Sequence, residues 1–408
     1  MAADANFIVT TYRVEGATDL EKKAKSIAVG LTVGTWTELP ADKQKTMAPH
    51  LGQVVDVKEL PPAADGTPRG EITVGYPVIN VLPDIPALLT TVFGKLSMDG
   101  SIKLVDVDLP EAFEAQLPGP RFGVEGVRER LGVEGRPLLM SIFKQCIGMS
   151  LEELKEAYQA QIDGGVDLVK DDEIFFADEQ APAVERVKTF AALNREREEQ
   201  TGVKTLYAVN LTGPVDQLVD RARRLVEAGA SCLLLNVLPY GFDILHRLAA
   251  HPEISVPIMA HPAFAGAVYS SPNHGLSAPL LLGKLMRWAG ADMVLYPSPY
   301  GSVAMPREEA LGVAEHLRSE QPHHRRALPG PAAGIHPGLV PVLYRDFGTD
   351  VLVNAGGGIH GHPQGSTAGG KAFIAAIDAV TEGRSLEEAA ADHPELRTAI
   401  EKWGVLVH

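Results

Sequence analysis

Apolar positions change rhythm once along this chain. In the first hundred residues short alternating stretches are interleaved with helical spacing. Residues 7–14 alternate as a strand, and 20–29 repeat apolar positions at i, i+3 and i+4 as a helix does. Strand candidates follow at 53–57 and 71–76, then a helix near 83–93 opened by Pro83-Asp84, then a strand over 102–109. This β-α-β-β-α-β order predicts a ferredoxin-like α+β domain, with the turn-rich 60–70 segment as a hairpin loop.

Beyond a Pro/Gly-rich link at 117–126 the pattern becomes short, continuously apolar runs separated by helical segments. Eight runs can be counted: 137–144, 166–172, 205–211, 232–238, 256–261, 292–297, a weak one at 325–330, and 350–356. Strands apolar on both faces, each followed by a helix, belong to a parallel sheet, and eight such units predict a closed (β/α)8 barrel. An open, doubly wound sheet is the rival architecture, with the seventh run as the weak point. Ser150-Leu151-Glu152-Glu153 carries a capping box for the helix after run one, and 384–403 reads as a helical tail. The expected α/β organisation is a ferredoxin-like domain over residues 1–125 and a barrel with its tail over 126–408.

Charge and composition narrow the partners. With 37 Lys+Arg against 52 Asp+Glu the formal charge is −15, which gives no electrostatic help in holding nucleic acid or an anionic membrane. Neither a membrane-length apolar run nor a leader-like start is seen, so a cytoplasmic protein is expected. Two cysteines, Cys146 and Cys232, exclude a disulfide framework and a thiolate metal cluster.

In a barrel the chemistry lies at the carboxyl ends of the strands. Run two ends Lys170-Asp171-Asp172-Glu173, and strand alternation turns Lys170 and Asp172 the same way, with Glu173 able to swing to the same mouth. Two carboxylates suit Mg²⁺; a salt-bridged strand end would use the same residues. A lysine facing a divalent cation conflicts electrostatically unless its neutral amine condenses with CO₂ to an anionic carbamate. The loops after strands seven and eight, Ala332-Ala333-Gly334-Ile335 and Ala355-Gly356-Gly357-Gly358, let backbone approach a phosphate closely, although either could be a plain turn. Gly365 to Lys371 fits GxxxxGK, but Ala372 stands where a nucleotide P-loop needs Ser or Thr. Lys144 and His261 end runs one and five and could contact an anionic oxygen or move a proton. His360 and His362 form an HxH pair read as a loop feature, since no third ligand is evident.

The run Gly164 to Glu173 resembles the metal-site motif of the RuBisCO superfamily, and the likeness extends over Gly34-Thr35-Trp36-Thr37, Phe93-Gly94, Ile142-Phe143-Lys144, His261, Gly334-Ile335-His336 and Gly356-Gly357-Gly358. The resemblance implies a carbamylated Lys170 that binds one Mg²⁺ per subunit with Asp172 and Glu173. It also implies phosphate binding at Gly334, Gly356 and Gly357, and a homodimer in which Thr35 and Trp36 cover the partner's barrel mouth. Departures bear on the reaction. The loop after strand six, Pro297 to Met305, lacks the lysine of carboxylases; Pro262 stands for an arginine, Gly30 for an acid, and Ala332-Ala333 replaces a serine context. Carboxylation is not expected.

Phe93 to Gly100, Pro297 to Ala304 and Ala355 to Pro363 are similar to the methionine-salvage branch of RuBisCO-like proteins, enolases of 2,3-diketo-5-methylthiopentyl 1-phosphate. That likeness makes Lys95, otherwise an ordinary surface lysine, the proton acceptor. It places Lys95, Lys144, Lys170, Asp171, Asp172, Glu173, His261, Gly334, Gly356 and Gly357 around the substrate, a phosphorylated diketone. The alternative is another reaction of the superfamily, isomerisation of 5-methylthioribulose 1-phosphate or decarboxylation of a branched sugar-acid phosphate.

Overall fold

Every second residue of Phe7–Glu15 (β1) is buried, the pattern of a strand with one face on a core. A computed structural model of the chain, which describes residues 5–34, 40–144, 146–176 and 179–406, sets β1 in a sheet with three further strands. These are β2 (Gln53–Leu60), β3 (Arg69–Pro77) and β4 (Ile102–Asp108), in the antiparallel order β4-β1-β3-β2. Gln53 opposes Gly75 and Leu60 opposes Arg69, so the 60–70 segment is the hairpin connection it was expected to be. The helix Leu20–Gly30 begins where the Asp19 side chain accepts from the Lys22 amide, and it buries Ala24, Ile27 and Ala28 on this sheet. The second crossover departs from expectation. Asp84 caps an α-helix of only five residues, Ile85–Leu89, and Thr90–Gly94 widens into a π-helical turn immediately before Lys95.

Nine strands follow: β5 (Leu138–Ile142), β6 (Leu168–Lys170), β7 (Leu206–Asn210), β8 (Cys232–Asn236), β9 (Ile258–His261), β10 (Gly275–Leu276), β11 (Met293–Pro297), β12 (Leu328–Ala332) and β13 (Leu352–Ala355). All but β10 form one parallel sheet, ordered β12-β11-β9-β8-β7-β6-β5-β13. The last strand pairs with the first, Leu352 opposite Leu138, which curls the sheet into the expected eight-stranded barrel. The two-residue β10 instead adds a parallel edge to β4 of the amino-terminal sheet, so the barrel segment contributes to both layers.

The weak seventh run has a physical explanation. The strand is Leu-Pro-Gly-Pro-Ala at 328–332, three residues later than the 325–330 run. Leu328 donates to Asp292 O at 2.8 Å on the β11 side. Alternation therefore turns Pro329 and Pro331 toward β13, and neither has an N–H. Among the described residues no ladder joins β12 to β13.

Inside the barrel, Leu138, Met140, Leu168, Leu206, Leu234 and Met293 pack with Val124, Val127 and Leu131 of the helix Gly123–Leu131, which plugs the amino-terminal end. Asp292 accepts from the Phe122 and Gly123 amides at 2.7 and 2.8 Å and fixes that plug. The division expected after residue 125 thus falls inside a helix tied to the barrel. The capping box at Ser150 and Glu153 is present in both bonds, and the tail is two helices, Leu386–Ala389 and Pro394–Trp403. Among the described residues no helix is long and apolar enough to cross a membrane.

Candidate active site

The carboxyl end of β6 carries the densest chemistry. Lys170 is 1% exposed; its Nζ donates to Asp171 O at 2.9 Å and lies 3.7 Å from Glu173 Oε2. Burial lowers its pKa from the usual lysine value, against the raising influence of Glu173 and Asp172. Asp172 accepts from Lys144 Nζ at 2.8 Å and from the Ile174 amide at 3.2 Å, which outweigh its desolvation and hold its carboxyl below the usual range. His261, at the end of β9, places Nε2 3.5 Å from Glu173 Oε2. Burial and the nearby Lys170 push its pKa well below the usual imidazole value. Its Nδ1 accepts from the Ala263 amide at 3.1 Å, so the neutral ring carries its proton on Nε2, toward the mouth. Lys144, Lys170, Asp172, Glu173 and His261 therefore meet at one place.

Asp171 goes elsewhere. Its side chain is fully buried: Oδ1 accepts from Tyr207 Oη at 2.6 Å, and Oδ2 from the Asn210 amide at 2.9 Å and from Arg186 at 3.1 Å. Both oxygens are committed to the barrel wall, as alternation from Lys170 and Asp172 requires.

Two residues that the sequence reading passed over hold the strand end in place. Asn210 Nδ2 donates to Asp172 O and Glu173 O at 3.2 and 3.1 Å, and Asn236 Nδ2 to Glu173 O at 3.0 Å. They continue the inward rows of Ala208 and Leu234, and each ends its strand as Lys170 ends β6. Their Oδ1 atoms are buried without a hydrogen-bond partner.

The glycine loops after β12 and β13 lie against one another, a Cβ on Gly358 falling 2.2 Å from Ile335 O. Ala333 and Gly334 both adopt φ 73°, and a Cβ on Gly334 would sit 2.7 Å from the Ser302 amide nitrogen. A Cβ on Gly356 would fall 3.0 Å from Lys144 Cε, so this glycine also makes room for the lysine, whereas Gly357 faces open space. In the short helix Gly357–His360 the Ile359 and His360 amides both donate to Gly356 O at 3.1 Å. His360 is engaged by Ile142 O and Ser366, and His362 by Glu395 O and the Gln364 amide. The GxxxxGK glycines pack helices: Gly369 meets Ile359 O and Gly370 meets Gly164. Among the described residues no three His, Cys, Asp or Glu side chains are grouped to hold a metal. A metal bound at Asp172 and Glu173 would thus need a further ligand of another kind.

Lys95 is not brought to this mouth within the chain. It is exposed beside a shallow cavity of about 410 Å³ whose other walls, Ser26, Ile27, Gly30, Leu31 and Leu96 among them, all belong to the amino-terminal layer. The buried Tyr12 hydroxyl donates to Val92 O at 2.5 Å, inside the π-helical turn that leads to Lys95. Gly34 is described, while Thr35, Trp36 and Thr37 lie outside the described residues.

Residues 123–403 match the family model for the ribulose bisphosphate carboxylase large chain, catalytic domain, and residues 1–113 that for its N-terminal domain. The chain is 53% identical over 406 residues to the 2,3-diketo-5-methylthiopentyl-1-phosphate enolase of Geobacillus kaustophilus, covering 98% of each. Among solved structures it is similar to a rubisco-like protein (MtnW) from Alicyclobacillus acidocaldarius, with TM-score 0.93, 53% identity and coverage of 98% and 100%. The octameric ribulose-1,5-bisphosphate carboxylase/oxygenase of Pyrococcus horikoshii matches with TM-score 0.89 at 30% identity, over 99% and 95% of the chains.

Proposed function

The chain belongs to the ribulose bisphosphate carboxylase large-chain family, and from that premise we propose that it is a 2,3-diketo-5-methylthiopentyl-1-phosphate enolase of methionine salvage. It converts the diketone to 2-hydroxy-3-keto-5-methylthiopentenyl 1-phosphate, a keto–enol tautomerisation and so an isomerase reaction. The observation that carries this reading is a strand-end cluster of acid, amine and imidazole retained beneath a loop after β11 that has no lysine to act on a carboxylated intermediate.

The donor set fits a hard cation. Asp172, Glu173 and the unpartnered Oδ1 atoms of Asn210 and Asn236 are oxygens, and the lowered pKa of Lys170 favours the neutral amine that reacts with CO₂. We assign Mg²⁺ to the Lys170 carbamate, Asp172 and Glu173, where it would supply Lewis-acid stabilisation of the developing enolate. The remaining steps use the chain's own groups. Backbone amides at Gly334, Gly356 and Gly357 hold the phosphate. Lys144 and the Nε2–H of His261 orient the oxygens of the diketone. The Lys95 amine takes the C1 proton: the C–H bond breaks, its electron pair enters the enolate, and the resulting ammonium returns a proton to the enolate oxygen through solvent, which gives the enol and restores the amine. Asp171 is assigned to the barrel wall and not to substrate.

Because Lys95 stands on the amino-terminal layer, we place it over the barrel mouth of a second subunit. Exposed apolar side chains on both surfaces support this: Ile79, Leu82 and Met98 on the amino-terminal layer, and Ile147, Ile174 and Phe264 beside the strand ends. The test follows the conjugated enol by ultraviolet absorbance on mixing protein with the diketo phosphate, with and without Mg²⁺ and bicarbonate. Enol formation that needs both, and that disappears in Lys170→Ala, is expected. Turnover of a sugar phosphate with none of the diketone would overturn the substrate and leave the fold standing.

A further inference from the structure

The loop after β11 is fastened from behind by a side-chain cluster that the reaction itself does not use. Asp346, on the helix Val340–Phe347, has a side chain 1% exposed and is surrounded by donors. Arg307 reaches Oδ1 and Oδ2 through Nη2 and Nε, both at 2.8 Å, and Arg345 Nε reaches Oδ1 at 2.9 Å. Tyr300, at the middle of the loop, donates its hydroxyl to Asp346 Oδ2, and Arg345 Nη2 donates to the same hydroxyl oxygen at 3.1 Å. Burial by itself would raise the Asp346 carboxyl; the bonds from Arg307, Arg345 and Tyr300 outweigh it and keep the group ionised far below the usual range. The bidentate Arg307 pair and the Tyr300 phenol fix the carboxylate's position by geometry, while Arg307 and Arg345 themselves are 53% and 45% exposed.

The front of the same loop is laid against the turn after β12. Ser298 N donates to Ala332 O at 2.8 Å and Ser302 N to Ala333 O at 3.2 Å. A Cβ on Gly301 would fall 1.6 Å from Ala333 O. Ala333 sits at φ 73°, a left-handed conformation that L-residues rarely adopt, so something must hold it there. Ala333 and Gly334 are consecutive residues at φ 73°, and Gly334 is one of the glycines assigned above to the phosphate.

We propose that Asp346, acting through Tyr300, is a positioning residue that holds the 297–305 loop against Ala333–Gly334, so that this wall of the substrate site is preformed before substrate arrives. The inference rests on the reading of that turn as the phosphate site. It differs from a lid, which would close only on binding: an anchored loop contributes equally to ground-state and transition-state binding, so its loss appears in KM.

The experiment compares wild type, Tyr300→Phe and Asp346→Asn, with Tyr300→Phe as the variant that removes one hydroxyl and leaves the arginine–carboxylate pairs in place. Hydrogen exchange of the 300–305 amides is measured with and without inorganic phosphate, alongside kcat and KM for the diketo phosphate. Expected are wild-type protection that phosphate leaves unchanged, faster exchange in Tyr300→Phe that phosphate restores, and a KM about tenfold higher with kcat within about twofold. A wild-type loop that exchanges freely until phosphate is added overturns the proposal, because the wall is then a lid. Loosening without a change in KM overturns the positioning role. If phosphate also fails to protect the wild-type Ala333–Gly334 amides, the phosphate reading of that turn is what has failed.

Discussion

The two ends of the proposed proton transfer are built in opposite ways. At the end of β6 the acid–amine cluster is sunk into the barrel, and its backbone is held by Asn210, Asn236 and the commitments of Asp171. Lys95 is exposed and follows a π-helical turn on the other layer, beside a cavity whose lining, among the described residues, comes from that layer alone. The first is a property of the folded chain; the second, in the proposed reading, becomes a site only in an assembly. Burial explains the division. A lysine among carboxylates needs a dry, fixed place to carry a lowered pKa, whereas a base that meets substrate from above must travel with a separable surface.

Removing the buried end should have the largest effect. Lys170→Ala is expected to lose turnover by about three orders of magnitude or more, since several kcal/mol of charge stabilisation go with it; the enol absorbance assay with Mg²⁺ and bicarbonate checks this. Lys95→Ala should follow, with kcat down about 10²- to 10⁴-fold, the usual contribution of a general base, and with the fold intact by circular dichroism. Mixing the two inactive variants sharpens the comparison. If the site is shared, random exchange of subunits restores about one quarter of wild-type activity, because half the dimers are mixed and each has one intact site. No recovery after verified exchange would place Lys95 in its own chain's site.

Tyr12→Phe probes the scaffold under Lys95. It leaves the Val92 carbonyl without its buried donor, which should cost about 1–3 kcal/mol of stability in a urea titration, and it should lower kcat several-fold while leaving KM near the wild-type value.

The smallest expected effect is in pH dependence. Burial holds His336 and His360 below the ordinary imidazole pKa, so both are neutral in the fold and protonate more easily in the unfolded chain. The unfolded state then binds more protons, and stability rises with pH. The loss should begin as pH falls through about 6.5 and deepen until the lower folded values are reached. Tm measured between pH 7.5 and 5.5 checks the sign, and His360→Asn should flatten part of the slope.

Much of this was legible along the chain. Period-two and continuous apolar runs located eleven of the twelve expected strands nearly in register, since a strand's pattern is imposed residue by residue by the face it buries. The twelfth, β12, was displaced because Leu-Pro-Gly-Pro-Ala has little apolar signal; its place is set by its hydrogen bonds to β11. Strand alternation also placed Lys170 and Asp172 together. It should equally have excluded Asp171 from the mouth and drawn notice to Asn210 and Asn236, polar residues set within apolar runs, which end their strands as Lys170 does.

What the sequence determined by itself was local: the rhythm of strands and helices, the caps at Asp19, Asp84 and Ser150, and which side chains share one face of β6. The tertiary structure decided what lies far apart in the chain. It brought Lys144 to Asp172, His261 to Glu173 and Tyr300 to Asp346, let Gly275–Leu276 cross to the other sheet, and left Lys95 outside the mouth. Periodicity records only whether a position is buried. Which buried position meets which depends on barrel closure and on the packing of distant loops, and no single stretch of chain carries that information.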